Sequence, residues 1–136
     1  MKAKNILALD VGEKRIGMAM ADTSVLISVP FGYLINSDTI LTDLAEVMIR
    51  HDISLVVVGY PRNQSGEPTK QTEFVENFVN QISEIEIDAE IVYQDESLTS
   101  VQAESRLGKN VKDKGDIDAE AASIILQDYL EEHYAN

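Results

Sequence analysis

The sequence predicts an α/β fold: a mixed five-stranded sheet with helices on both faces. Three observations predict it. Short runs rich in Ile, Val and Leu recur along the chain, as in "NILALD" and "SLVVVGYP", which is strand composition. The first runs are separated by tight turns, so they read as an antiparallel meander. The later runs are separated by stretches with apolar residues at helical spacing, which demand crossover connections and parallel strands.

Taken in order, Asn5 to Asp10 is apolar on both faces and reads as a central strand. Val11 to Lys14 is a tight connection bent at Gly12. Arg15 to Ala21 alternates, with Ile16, Met18 and Met20 on one side and Gly17, Ala19 and Ala21 on the other. The second side is almost without side chains, so a helix or another backbone can lie close to it. A third strand between Val25 and Leu34 is interrupted by Pro30 and Gly32, so it belongs at an edge. Ser37 is positioned to cap a helix running to about His51, with Ile40, Leu41, Leu44, Val47 and Met48 as its stripe. "SLVVVGYP" is a buried strand ending at Gly59, followed by the polar loop "PRNQSGEPT". Phe74, Val75, Phe78, Val79 and Ile82 mark a second helix, and "AEIVYQDE" a fifth strand. Thr99 and Gln102 form a capping-box pattern that opens a short helix stopping near Gly108. After the charged loop "KNVKDKGD", the last helix runs from about Ile117 to His133 with Ala121, Ala122, Ile125 and Tyr129 inward. His51 and His133 read as helix-end groups. No linker or repeat divides the chain, so 1–136 reads as a single domain.

Composition narrows the function. The chain has no cysteine, which excludes disulfides and thiolate metal sites. No stretch has the apolar length of a membrane span. The basic start "MKAKNILALDVGEKR" meets Asp10 too soon for a signal peptide, so a cytoplasmic protein is expected. Net charge is −13, which by itself argues against nucleic acid, since phosphate affinity comes from Lys and Arg. The distribution argues otherwise. Six acids and no base lie between Glu73 and Glu90, whereas Lys14, Arg15, Arg62, Lys70, Arg106, Lys109, Lys112 and Lys114 fall in or near turns and loops. The aromatic residues form no base-stacking run in the sequence.

In open α/β sheets, function gathers at the carboxyl ends of the parallel strands. Asp10 ends the first strand and Glu96 the fifth, so both emerge at one edge. Asp118 lies in the first turn of the last helix, where the helix dipole favours an acid. Three converging carboxylates repel one another unless a dication joins them, and oxygen ligands suit Mg²⁺ or Mn²⁺.

Four spaced stretches carry a resemblance. "LALDVGEKRIGMAMAD", "VVVGYPRNQSGEPTKQT", "DESLTS" and "KGDIDAEAASIILQDYL" resemble, in order, the motifs of the YqgF/RuvX family of the RNase H-like superfamily. The resemblance implies an RNase H-like fold and a metal-dependent nuclease site with Asp10, Glu96 and Asp118 as catalytic acids and ligands of Mg²⁺ or Mn²⁺. It implies a role in 5′-end processing of pre-16S rRNA, or alternatively Holliday-junction resolution on four-way DNA. Substrate phosphates are expected at Lys14, Arg15, Arg62, Lys70, Lys112 and Lys114, with Lys14 and Arg15 either on phosphates or paired to the acids. Ser97 stands where the family usually has Arg, and Asp116 adds an acid before Asp118. The strong negative charge and the missing Arg at position 97 motivate a non-catalytic RNA-binding or assembly factor as another alternative. An Asp-x-Gly hairpin also opens the sugar-kinase, Hsp70 and actin fold, but those proteins enclose ATP between two such domains. A resolvase works as a symmetric dimer, so monomer and homodimer are both open.

Overall fold

The computed structural model describes residues 3–61, 67–96 and 113–134. They form β1 (Asn5–Val11), β2 (Arg15–Asp22), β3 (Val29–Ile35), α1 (Ile40–Arg50), β4 (Ile53–Pro61), α2 (Lys70–Ser83), β5 (Glu90–Glu96) and α3 (Lys114–Tyr134). The sheet order is β3-β2-β1-β4-β5. β2 is antiparallel to β1 and β3, while β4 is parallel to β1 and β5. β1 and β5 therefore point the same way, on either side of β4. The short helix expected near Gly108 lies outside the described residues.

Strand alternation assigns each face its helices. Leu7, Leu9, Val11, Ile16, Met18, Val56 and Val58 pack with Leu44 and Met48 of α1 and with Val75, Phe78 and Ile82 of α2. Ile6, Ala8, Ala19 and Val57 face the opposite way and pack under Ala122, Ile125, Leu126 and Leu130 of α3. Burial of such side chains contributes about 1.5–3 kcal/mol each. The small residues of β2 do what their size permits: the α3 backbone rides directly over the hairpin. A Cβ on Gly17 would stand 2.0 Å from the Asp118 carbonyl oxygen. Among the described residues, no helix is long and apolar enough to cross a membrane.

Three boundaries differ from the sequence reading. β3 begins at Val29, not Val25. The Asp22 carboxylate accepts from the backbone N–H groups of Ser24 and Val25, and Leu26 takes a left-handed φ of 63°, so the chain turns before it can pair. Ser28 then anchors to α3, its hydroxyl donating to the Ser123 carbonyl at 2.7 Å. α1 is preceded by Thr39 without a side-chain cap, and Ser37 closes the turn before it, its carbonyl accepting from Ile40 N–H at 3.1 Å. α3 starts at Lys114, three residues before the expected Ile117. Asp113 causes this: its carboxylate accepts from Gly115 N–H at 2.8 Å and its carbonyl from Asp116 N–H at 3.1 Å, satisfying first-turn donors. Gly115 sits against the Tyr33 ring, where a Cβ would come within 2.1 Å. Asp118 consequently lies in the second turn of α3, where the terminal dipole is weaker.

Gly17→Ala tests the contact between α3 and the hairpin. Overpacking of this kind costs about 1–3 kcal/mol, so the thermal midpoint should fall by about 5–10 °C. A variant that melts like the wild type would show that α3 does not press on β2.

Candidate active site

The three acids come from separate elements on the α3 face of one sheet edge. Asp10 is directly paired with Gly17 across the hairpin, and Gly17 lies beneath the backbone of Asp118. Glu96 ends β5, opposite Pro61. Its carboxylate leans over Gly59, whose missing side chain leaves the space: a Cβ there would stand 2.1 Å from Oε2. Leu9 is paired with Val58, so Gly59 lies next in register to Asp10. Glu96 thus leans across β4 toward β1.

Burial and proximity perturb the ionisation of these acids. Asp10 is pushed up to about 8, first by burial, then by repulsion from Glu96 and Asp118. Burial raises Glu96 to about 7. Near neutral pH these two groups retain protons that exposed carboxyls have lost. Asp118 has a different partner. Arg15 Nε donates to Asp118 Oδ2 at 2.7 Å, with both side chains about one-quarter exposed at 24% and 26%. Among the described residues, no three His, Cys, Asp or Glu side chains are grouped closely enough to hold a metal ion. The donor chemistry fits Mg²⁺ or Mn²⁺, because Asp10 and Glu96 are oxygen donors in no ion pair among the described residues, and a cation could replace their protons. The third carboxylate is engaged elsewhere.

Beside the acids is an open depression of about 440 Å³ lined by Gly12, Glu13, Lys14, Arg15, Gln71 and Asp118. Lys14 is exposed at its rim, and exposed Lys70 begins α2 next to Gln71. Lys114 is exposed one helical turn before Asp118. Arg62 and Lys112 lie outside the described residues. Two residues that the sequence reading did not single out shape the hairpin. Gln71 Nε2 donates to the Val11 carbonyl at 3.0 Å, and Asn36 Nδ2 to the Gly12 carbonyl at 2.9 Å. No pattern in the sequence marks such lone amides. An aromatic pair also emerges near the same ends of β4 and β5, with the rings of Tyr60 and Tyr93 edge-to-face at 4.8 Å. The strand register brings them together, which no run in the sequence displays.

The raised acids set a pH dependence. Unfolded, Asp10 ionises near its ordinary 3.8; folded, near 8. Between these values the unfolded chain has released a proton that the folded chain keeps, so rising pH favours unfolding. The stabilising contribution is complete below pH 3.8 and lost as pH climbs through 8; Glu96 acts in the same direction. In chelator, the wild type should therefore lose stability across this window relative to Asp10→Asn, as read by thermal melts. Parallel curves for the two proteins would contradict the burial of Asp10.

A family model described as "RuvX: Holliday junction resolvase" matches residues 4–132. A protein of Chloroflexus aurantiacus named "Putative pre-16S rRNA nuclease" is 39% identical over 143 aligned residues, covering 100% of this chain and 92% of that one. A Synechocystis protein of the same name is 36% identical, covering 92% and 86%. Among solved structures, the T. thermophilus RuvC complex with Holliday junction substrate superposes with a TM-score of 0.58 at 14% identity, covering 94% of each chain. The Fowlpox virus resolvase in complex with Holliday junction DNA gives 0.56 at 13%, covering 96% and 99%. At such identities the structural likeness shows the fold alone, and that fold is RNase H-like. The sequence match over almost the whole length carries the family assignment: this chain belongs to the RuvX family.

Proposed function

We propose that the chain is a divalent-metal endonuclease of the cytoplasm that processes the 5′ end of pre-16S rRNA, with Asp10, Glu96 and Asp118 as its catalytic acids. Family membership makes it a phosphodiester-hydrolysing enzyme. The observation that carries the finer reading is the pair Asp10 and Glu96, two partly buried oxygen donors that repel each other at the carboxyl ends of the parallel strands. Bringing such groups together is costly without a proton or a cation. The relatives' name supports ribosomal precursor as the substrate.

In this reading Asp10, Glu96 and Asp118 hold the ion. When bound, Mg²⁺ or Mn²⁺ supplies activation of the attacking water and stabilisation of charge on the leaving oxygen. The hairpin turn presents Lys14 and Arg15 to backbone phosphates across the depression they line. Lys70 and Lys114, with Arg62 and Lys112, extend the phosphate-binding side. Gln71 and Asn36 hold the turn carbonyls and so keep Asp10 in place. The description of the matching family favours a second reading, four-way DNA junctions cleaved by a homodimer.

The test supplies pre-16S rRNA and a four-way DNA junction in parallel, with Mg²⁺ or Mn²⁺. The precursor should be cut, and Asp10→Asn should reduce the rate by at least about a hundredfold. Cleavage that Asp10→Asn leaves intact would overturn the assignment of the site. Cleavage of the junction alone would favour the second reading, and RNA binding in chelator without cleavage under any metal would favour an assembly factor.

A further inference from the structure

Arg15 stands in an unusual place for a phosphate-binding residue, because its guanidinium is already committed to one of the proposed metal ligands. It starts β2 on the same side as Gly17, two residues away, and therefore faces α3. Its Nε takes Asp118 Oδ2 at 2.7 Å. Arginine has five N–H donors in a rigid fork. Among the described residues, no other hydrogen bond of this guanidinium accompanies the one to Asp118, and Arg15 borders the open depression. Asp118 is near enough to Asp10 to repel it, yet no trio of acids is gathered among the described residues.

We infer that Arg15 is a latch that couples metal loading to substrate: it holds the Asp118 carboxylate until a phosphodiester takes the guanidinium, and Asp118 then joins Asp10 and Glu96. The inference rests on the metal-site reading above. The exchange is chemically even-handed. Arginine binds phosphate with the same two-pronged geometry as carboxylate, so one charge-assisted contact replaces another. The carboxylate that is released has a cation site beside it to enter, since the α3 backbone at Asp118 is seated on Gly17, the strand partner of Asp10. Arg15 is a positioning residue in this scheme, acting on metal affinity through Asp118. Its neighbour Lys14, exposed on the same rim, attracts phosphate without touching the latch.

The experiment measures Mn²⁺ affinity by electron paramagnetic resonance, alone and with a short RNA stem-loop. A stem-loop with uncharged methylphosphonate linkages is the control. In the wild type, the charged stem-loop should tighten Mn²⁺ binding about tenfold and the control should not. In Arg15→Gln, Mn²⁺ should bind about tenfold more tightly without RNA, and RNA should add nothing. Arg15→Lys, which keeps the charge and loses the fork, should fall between them. Thermal melts in chelator check that the variants fold. Mn²⁺ affinity equal in the wild type and Arg15→Gln, with or without RNA, would overturn the latch. If that binding still vanished in Asp10→Asn, the metal site itself would stand. Absence of Mn²⁺ binding in every protein would overturn the metal site and the latch together. Weaker binding in folded Arg15→Gln would assign Arg15 a purely supporting contact and also overturn the latch.

Discussion

The seating of α3 on the β1–β2 hairpin is the contact on which the candidate site depends. Gly17 has no side chain, so the backbone at Asp118 comes down onto the strand itself. That contact brings a carboxylate from late in the chain beside Arg15 and within repulsive range of Asp10. The rest of the sheet supplies the other acid. Because β1, β4 and β5 are parallel, the ends of β1 and β5 flank β4 on one edge, and Gly59 leaves the gap that Glu96 occupies. Two glycines thus define the site by what they omit.

The electrostatics follow from that packing. Like charges in a partly dehydrated setting favour protons or a cation over mutual exposure. The chain neutralises one of the three with an internal cation, Arg15, and leaves Asp10 and Glu96 without one among the described residues. Its overall charge of −13 is arranged unevenly. The acids between Glu73 and Glu90 belong to α2, the connection after it and the start of β5. Lys14 and Arg15 border the depression beside the hairpin. A polyanion approaching this protein meets a net negative chain and an opening where Lys14 and Arg15 stand beside Glu13 and Asp118. Net negative charge of this size disfavours non-specific binding of polyanions.

Much of this was legible in the sequence, for physical reasons that differ by element. Period-two alternation in β2 showed which side carries Ile16 and Met18, and the smallness of Gly17, Ala19 and Ala21 announced a close neighbour; both follow from strand geometry alone. Asp10 and Glu96 were legible as edge acids because crossover connections force parallel strands to end together. The start of α3 was not. Lys114, Gly115 and Asp116 have loop composition, but Asp113 accepts from the N–H groups of Gly115 and Asp116, and Gly115 fits against the Tyr33 ring. Nor does anything local reveal that Arg15 meets a partner 103 residues away, or that Glu96 needs Gly59. These are consequences of tertiary packing between elements whose separate patterns are silent about each other.

The most direct test of the central claim is the anomalous scattering of Mn²⁺ in crystals of this protein bound to RNA. The account predicts a peak at the sheet edge with oxygens of Asp10, Glu96 and Asp118 at about 2.0–2.2 Å, the range for small divalent ions. A peak coordinated elsewhere, or an RNA-bound crystal in which Mn²⁺ leaves the edge empty, would contradict it.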